Sequence, residues 1–222
     1  MGRLRPASNG DPTRNTARTE LPVCLLDRPH VIGQSVRMGS MDHVKLPIVV
    51  RKATAGDVAS MQAVDVAARQ RFREIDDARI ARAADDQPYW TEGLTRAATE
   101  QRAWVAIDDL GAVIGYAVAC EIDGEGHLDE LAVTPAHGRR GVGRALVDEV
   151  LAWTAARGLP SVTLITFRDV PWNGPFYEKL GFEAVTALTP ALQAALDQGA
   201  TWGVPRDVVM RRSLVDAESA DA

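Results

Sequence analysis

A glycine-rich turn that joins a strand to a helix constrains this chain more than any other feature. From Val133 to Leu146 the sequence is Val-Thr-Pro-Ala-His-Gly-Arg-Arg-Gly-Val-Gly-Arg-Ala-Leu. Three glycines let the backbone turn tightly and approach a ligand closely: Gly138, Gly141 and Gly143. Three arginines add positive charge: Arg139, Arg140 and Arg144. Because the first amides of the following helix have no acceptor within it, the turn is typical of a diphosphate-binding site.

Two other phosphate-binding motifs do not fit this turn. A nucleotide P-loop needs a lysine followed by serine or threonine after its glycines, and no such pair follows here. The spacing of the dinucleotide-binding motif fails at Leu146, where that motif has glycine or alanine.

The turn instead resembles the acetyl-CoA signature of the GCN5-related N-acetyltransferases, in which Val-x-Pro precedes Gln/Arg-x-x-Gly-x-Gly/Ala and a helix. A second stretch, Trp172 to Phe182, is similar to the later Phe-Tyr-x-x-x-Gly-Phe helix and turn of that family. With the opening from Val49 to Asp57, the resemblance covers residues 46 to about 213. It implies an α/β fold with a mixed, mostly antiparallel central sheet, splayed strands and flanking helices. It also implies acetyl-CoA as co-substrate.

The resemblance assigns cofactor binding to one strand end, to the turn and helix start, and to one asparagine: Leu131, Ala132, Val133, Gly138, Arg139, Arg140, Gly141, Val142, Gly143, Arg144 and Asn173. Two positions depart from the family pattern. Gly138 stands where the family has Gln or Arg, so a side-chain contact must come from Arg139 or Arg140 or be absent. Val170 stands where the family has Asn, and Asn173 lies four residues before Tyr177 instead.

Three side chains are candidates for catalysis: Tyr177, Glu130 and His127. The resemblance implies that the phenol of Tyr177 points at the thioester sulfur. It also implies that the strand from His127 to Val133 splays from its neighbour and frees backbone groups of Leu131 and Val133. In the histone-modifying branch of the family the base lies fourteen residues before the first motif glycine, a position that His127 occupies.

Strand alternation predicts two faces for this segment, one with His127, Asp129 and Leu131 and the other with Leu128, Glu130 and Ala132. Glu130 would then share an apolar face, where desolvation raises the pKa of a carboxyl group. Each candidate base has a structural alternative. His127 can be an exposed residue after a glycine turn, and Glu130 can be paired with an arginine. His137 fits a capping or exposed residue, and Trp172 is the tryptophan that we expect near a ligand.

Composition limits the classes of partner. The chain has 222 residues, 46% of them hydrophobic and 25% charged, enough for one substantial core. A formal net charge of −5 with no basic run argues against a nucleic-acid or anionic-membrane partner and is compatible with a cationic amine substrate. Only two cysteines occur, at positions 24 and 120, so we expect no disulfide framework and no metal site. No apolar stretch of about 18 residues is present, so we expect no membrane span and a cytoplasmic protein.

The predicted organisation is a disordered leader or over-extended start at 1–43, an N-acetyltransferase domain at 44–213 and a flexible tail at 214–222. The periodicity predicts strands at 46–51, 102–107, 112–121, 127–133, 161–166, 182–185 and 208–212, and helices after 54–57 and at 142–156, 175–180 and 191–196. Residues 67–100 have a helical composition that breaks near Pro88, and in the resembling family this region covers the acceptor pocket.

These observations predict an acetyl-CoA-dependent N-acetyltransferase that acts on a primary amine of a small molecule by direct attack in a ternary complex. We expect a monomer or homodimer. Three alternatives stay open: a protein N-terminal acetyltransferase of the ribosomal-protein type, a non-catalytic acyl-CoA-binding sensor, and an enzyme for a longer acyl donor.

Overall fold

The computed structural model describes residues 48–85, 91–201 and 207–215. The predicted leader, Pro88 and residues 216–222 of the predicted tail lie outside the described residues. Leu214, which the prediction placed in the tail, packs against the core, and its N–H donates to the carbonyl of Pro160 at 2.8 Å. The helices and strands are β1 (Val49–Lys52), α1 (Val58–Arg69), α2 (Ala78–Ala81), α3 (Thr91–Thr99), β2 (Ala103–Ile107), β3 (Val113–Ile122), β4 (Glu125–Val133), α4 (Val142–Ala156), β5 (Ser161–Thr166), α5 (Gly174–Glu178), β6 (Glu183–Val185), α6 (Pro190–Thr201) and β7 (Val208–Ser213).

The seven strands form one sheet in the order β1-β2-β3-β4-β5-β7-β6. Every neighbouring pair is antiparallel except β4 and β5, which run parallel. The parallel pair requires a crossover, and α4 provides it. The predicted mixed, mostly antiparallel sheet is therefore confirmed, and α4 and β5 have the predicted bounds.

Helices cover both faces of the sheet. Helix α4 buries Leu146, Val150 and their neighbours against one face, together with Leu128 of β4. Helices α1 and α3 pack on the opposite face, where Met61 and Leu94 are fully buried. Helix α1 and helix α4 thus lie on opposite sides of β3 and β4.

A 3-10 turn, Ala55–Asp57, leads into α1 and begins at a reciprocal cap, the helix start that the Thr-Ala-Gly-Asp sequence predicts. The Asp57 carboxylate accepts from the backbone N–H of Thr54 at 2.8 Å and from its hydroxyl at 2.7 Å, and the N–H of Asp57 donates to the carbonyl of Thr54. Arg51 donates two further hydrogen bonds of 2.8 Å to the same carboxylate. These bonds, led by those from Arg51, hold the pKa of Asp57 well below its usual value.

Strand β4 contains a β-bulge that the sequence does not reveal. Val118 of β3 lies opposite Glu130, but the next residue, Ala119, lies opposite Leu128, so Asp129 is the extra residue of the bulge. One additional residue reverses the side-chain alternation on either side of it.

The predicted alternation along β4 is consequently wrong for His127, which lies on the same side of the sheet as Glu130, and for Leu128. Leu128 packs with Leu131 in the core on the α4 face. Ala132 packs on the α1 face, in the same cluster as Val118. Because Glu130 lies opposite Val118, it shares the α1 face with Ala132 and not with Leu128.

Candidate active site

A cleft opens between β4 and β5 because the two parallel strands separate. They pair only from Gly126 to Leu128 on β4 and from Val162 to Leu164 on β5, although β4 continues for five more residues to Val133. The splay implied by the family resemblance is present. It produces a cleft that runs between the two strands.

The backbone groups of Leu131 and Val133 face this cleft. Hydrogen bonds in an antiparallel ladder alternate between the two sides of a strand. The N–H of Thr134 donates to the carbonyl of Ile114 on the β3 side at 2.9 Å. The residues one and three positions earlier, Val133 and Leu131, therefore direct their N–H and C=O groups to the β5 side, where no strand pairs with them.

Helix α4 starts at the end of the cleft. Gly141 has a φ of +90°, in the left-handed region that favours glycine, and its carbonyl accepts the N–H of Ala145 at 3.0 Å. The N–H groups of Val142, Gly143 and Arg144 precede that bond and have no acceptor within the helix. The side chain of Val142 is 1% exposed, so this residue contributes only its backbone.

The turn before α4 brings some of the predicted side chains to the cleft and leaves others outside. Gly138 and Arg139 line the cleft, whereas Arg140 and Arg144, both described residues, do not. Arg139 is thus the arginine best placed to supply charge where Gly138 replaces the family's Gln or Arg. His137 forms a 2.8 Å hydrogen bond through Nδ1 with the hydroxyl of Thr134, the local role expected of a capping residue.

Tyr177 lies in the wall of the cleft on the α4 face. It is 7% exposed and belongs to the core cluster that α4 covers. Its ring makes edge contacts with Phe176, at 5.0 Å between centroids, and with Phe182, at 5.8 Å. Two aromatic contacts fix the ring, so the phenol is held in one orientation beside the cleft.

Asn173 caps the short helix that carries Tyr177. Its backbone carbonyl accepts the N–H of Tyr177 at 3.1 Å, and its side-chain Nδ2 donates to the hydroxyl of Thr166 at 2.8 Å. Its Oδ1 atom is buried and has no hydrogen-bond partner among the described residues. Because Asn173 lines the cleft, this oxygen is available to a ligand N–H group.

The structure separates the two candidate bases. Glu130 lines the cleft, and His127 does not. His127 is 3% exposed, and its Nδ1 hydrogen-bonds the hydroxyl of Thr163 at 2.9 Å, so it is not the exposed residue that the glycine turn suggested. Of the two, only Glu130 is positioned to meet an acceptor in this cleft.

A buried ion pair lies next to Glu130. Arg69 Nε donates to Asp65 Oδ1 at 2.9 Å within α1, and both residues line the cleft. Burial lowers the pKa of the Arg69 guanidinium, but the negative charges of Asp65 and Glu130 more than offset it, so the pKa lies above its usual value. Sequence reasoning missed this pair. The signal was there, since Asp65 and Arg69 are spaced i and i+4 beside buried Met61 and Val64.

Aromatic side chains form the far wall of the cleft. Phe72 follows α1 and contacts Phe167, at 5.3 Å between ring centroids, and Trp172, at 6.1 Å. The guanidinium carbon of Arg71 lies 4.0 Å from the centre of a Trp172 ring. All four side chains line the cleft: Trp172, which we expect near a ligand, and three that the sequence did not single out.

Residues 67–182, more than half of the chain, match the family model described as acetyltransferase (GNAT) family. The chain belongs to this family. It is an acetyltransferase, as the sequence predicted.

Solved structures of low identity share the fold of this acetyltransferase. The PaiA N-acetyltransferase of Thermoplasma acidophilum, in complex with coenzyme A, has 17% identity and a TM-score of 0.58 over 76% of this chain and 99% of that one. A phosphinothricin acetyltransferase of Sinorhizobium meliloti, in complex with acetyl-CoA, has 20% identity and a TM-score of 0.54, and the match covers 78% of this chain and 92% of that one. The ribosomal-protein-S18-alanine N-acetyltransferase of Escherichia coli has 17% identity and a TM-score of 0.54 over 77% and 96%.

The described part of this acetyltransferase shows neither a metal-binding cluster nor a membrane-spanning helix. In residues 48–85, 91–201 and 207–215, no group of three or more His, Cys, Asp or Glu side chains could hold a metal ion. Over the same ranges, no helix has both the length and the apolar character needed to cross a membrane.

Proposed function

We propose that this acetyltransferase transfers the acetyl group of acetyl-CoA to a primary amine of a small molecule by direct attack within a ternary complex. One observation carries the proposal. Strands β4 and β5 separate after Leu128 and leave the backbone groups of Leu131 and Val133 on the cleft, ahead of the start of α4.

The residues of the cleft fit acetyl-CoA. Its diphosphate would be held by the free N–H groups at the start of α4 and by Arg139. The amides of its pantetheine arm would bond the backbone of Leu131 and Val133, and one amide N–H would satisfy the buried Oδ1 of Asn173. When bound, acetyl-CoA supplies an activated thioester.

The acceptor amine would approach from the α1 face, where Glu130 lies. An alkyl amine with a pKa near 10.4 is neutral in about one molecule in 2,500 at pH 7, which costs about 4.6 kcal/mol. As the nitrogen attacks it becomes far more acidic, and Glu130 accepts its proton, directly or through a water molecule. The amine nitrogen bonds to the acetyl carbon as the carbon–sulfur bond breaks.

Tyr177 would assist the departing sulfur on the α4 face. A phenol has a pKa of about 10 and a thiol one of about 8.5, so full proton transfer to the thiolate would be uphill by about 2 kcal/mol. A hydrogen bond that strengthens as charge develops on sulfur is therefore the contribution we assign to Tyr177.

Packing over the acceptor side supports a small molecule over a peptide. Phe72 joins the segment after α1 to Phe167 and Trp172 in the loop after β5. These rings give the cleft an aromatic wall, which suits a small molecule, whereas a protein N-terminus would need an open groove.

Two measurements on the purified protein test the proposal. Calorimetric titration with acetyl-CoA should give binding, and a panel of small primary amines should include members that release CoA and yield the acetylated amine by mass spectrometry. A matched panel of peptides tests the protein-acetyltransferase alternative. Acetyl-CoA binding with turnover of peptides alone would contradict the small-molecule assignment, and binding with no turnover would support a sensor.

A further inference from the structure

Arg71 places in the cleft a positive charge that no carboxylate of the described residues pairs with. Its guanidinium lies over the Trp172 ring at 4.0 Å, and both residues line the cleft. Within residues 48–85, 91–201 and 207–215, Arg71 forms no ion pair or hydrogen bond through its side chain. It is half-buried, so water only partly screens the charge.

Other arginines of the same segment are matched by carboxylates. Arg69 pairs with Asp65 at 2.9 Å, Arg79 pairs with Asp77 at 2.7 Å, and Arg73 pairs with Asp85. The segment therefore supplies partners to the arginines on either side of Arg71.

The stacking on Trp172 prepares Arg71 for an oxyanion. A guanidinium held over an indole ring loses freedom of movement while the N–H groups at its edge stay open to a ligand. Two parallel N–H groups match the two oxygens of a carboxylate, and such bidentate bonds are among the strongest hydrogen bonds in proteins. The aromatic contacts of Phe72 with Trp172 and Phe167 hold the neighbouring backbone in place.

The position of Arg71 favours the acceptor over the cofactor as its ligand. Arg71 follows the end of α1, on the opposite face of the sheet from α4 and its free N–H groups. The diphosphate site at the start of α4 also has its own cation in Arg139. An anion bound by Arg71 would thus belong to the molecule that enters from the α1 face.

We infer that the acceptor is an amine that also carries a carboxylate, and that Arg71 binds this carboxylate while the amine is presented to Glu130. The inference rests on the proposed function and narrows it to one class of small-molecule amine. Arg71 would then determine specificity without taking part in bond making or breaking.

Matched acceptors test this inference. The pairs 4-aminobutanoate with 4-aminobutanamide, and 4-(aminomethyl)benzoate with 4-(aminomethyl)benzamide, differ in the carboxylate and keep the amine. We expect the wild-type enzyme to favour the acid of at least one pair by tenfold or more in kcat/KM. The Arg71→Gln variant should lose at least tenfold on that acid, mainly through KM, and stay within threefold on the amide.

Controls distinguish the effect of losing the charge at Arg71 from the effect of losing any nearby charge and from misfolding. Arg73 lies two residues from Arg71, but it is exposed, pairs with Asp85 and does not line the cleft. Arg73→Gln removes its charge and should change kcat/KM for neither acceptor by more than twofold. Thermal melts of all variants check folding. As a measurement without turnover, 4-methylbenzoate should bind CoA-loaded wild type in a calorimetric titration at least tenfold more tightly than CoA-loaded Arg71→Gln.

The outcomes distinguish this inference from the proposed function. Equal use of acid and amide by wild type, or equal losses on both in Arg71→Gln, would overturn the role of Arg71 and leave small-amine acetylation intact. Turnover of other small amines with no member of either pair accepted would overturn it as well. If no small amine of any kind is acetylated, the proposed function itself fails.

Discussion

A β-carbon at Gly143 would lie 3.2 Å from Cζ of Phe176, so the first turn of α4 packs directly on the ring that precedes Tyr177. Phe176 in turn makes an edge contact with Tyr177 at 5.0 Å between ring centroids. The glycine is thus needed for the packing that positions Tyr177, in addition to any close approach of a ligand.

Valine at either motif glycine should weaken acetyl-CoA binding by at least tenfold, for different reasons. At Gly143 it forces Phe176 aside, whereas at Gly141 a β-branched residue must adopt a φ of +90°, which is strained. Calorimetric titration measures the loss, with thermal melts as the check on folding. Gly141→Asn is the matched control, because asparagine tolerates this conformation better than valine. Unchanged affinity in both valine variants would remove the start of α4 from the cofactor site.

Removal of the phenol at Tyr177 should slow chemistry and leave binding intact. Tyr177→Phe keeps the ring and its contacts with Phe176 and Phe182 and deletes only the hydroxyl. We expect kcat to fall ten- to a thousandfold and acetyl-CoA affinity to stay within threefold, since the hydrogen bond to sulfur strengthens mainly in the transition state. Wild-type kcat in this variant, under conditions where chemistry limits turnover, would exclude Tyr177 from the mechanism.

Substitution of the two candidate bases should give unequal effects. Glu130→Gln keeps the shape of the side chain in the cleft and removes its ability to take a proton, so kcat/KM should fall about 10²- to 10⁴-fold. His127→Asn alters a buried side chain outside the cleft, and its kcat/KM should stay within fivefold at a temperature where the variant is folded. A larger loss in His127→Asn than in Glu130→Gln would reverse the assignment.

Local signals in the sequence were sufficient to predict where helix α4 begins and ends. Helix α4 has its predicted bounds because its apolar stripe is long and a glycine in the left-handed region fixes its start. The separation of β4 from its neighbour was implied by the family resemblance and not by a local signal, since it depends on contacts distant in sequence.

The acceptor side was harder to predict. The bulge at Asp129 has no glycine or other local marker, and one extra residue was enough to put Leu128 and Glu130 on opposite faces of the sheet. Arg71 and Phe72 lie beyond the last residue of α1, where the helical period ends and the position of a side chain depends on the aromatic partners it finds.

The cap of α1 should make stability depend on pH in the acid range. The pKa of Asp57 is held below its unfolded value, so its contribution is fully present above about pH 4 and is lost as the pH falls through the folded pKa. Asp57→Asn should therefore lower the melting temperature at pH 7, and the difference from wild type should shrink toward pH 3. Asp148→Asn, an exposed change on α4, is the control and should show no such convergence. A constant difference between wild type and Asp57→Asn at all pH values would contradict this account.

Arg69 should be more costly to remove than either carboxylate beside it. Asp65 is 1% exposed and Arg69 is 8% exposed, and Asp65 and Glu130 both raise the pKa of the Arg69 guanidinium. Deletion of one partner of a buried ion pair costs about 3 to 5 kcal/mol, because the other charge stays buried. Arg69→Met leaves two carboxylates near each other, whereas Asp65→Asn leaves Arg69 with Glu130.

Urea denaturation of four variants separates these contributions. We expect Arg69→Met to lower the free energy of unfolding by about 3 to 5 kcal/mol and Asp65→Asn to lower it less. Addition of Glu130→Gln to Arg69→Met should recover part of the loss, since it removes one of the two carboxylate charges that the absence of Arg69 leaves uncompensated. Arg73→Met breaks the exposed Arg73–Asp85 pair and should cost less than about 1 kcal/mol. If the double variant were less stable than Arg69→Met, the two carboxylates left without Arg69 would not be the source of the loss.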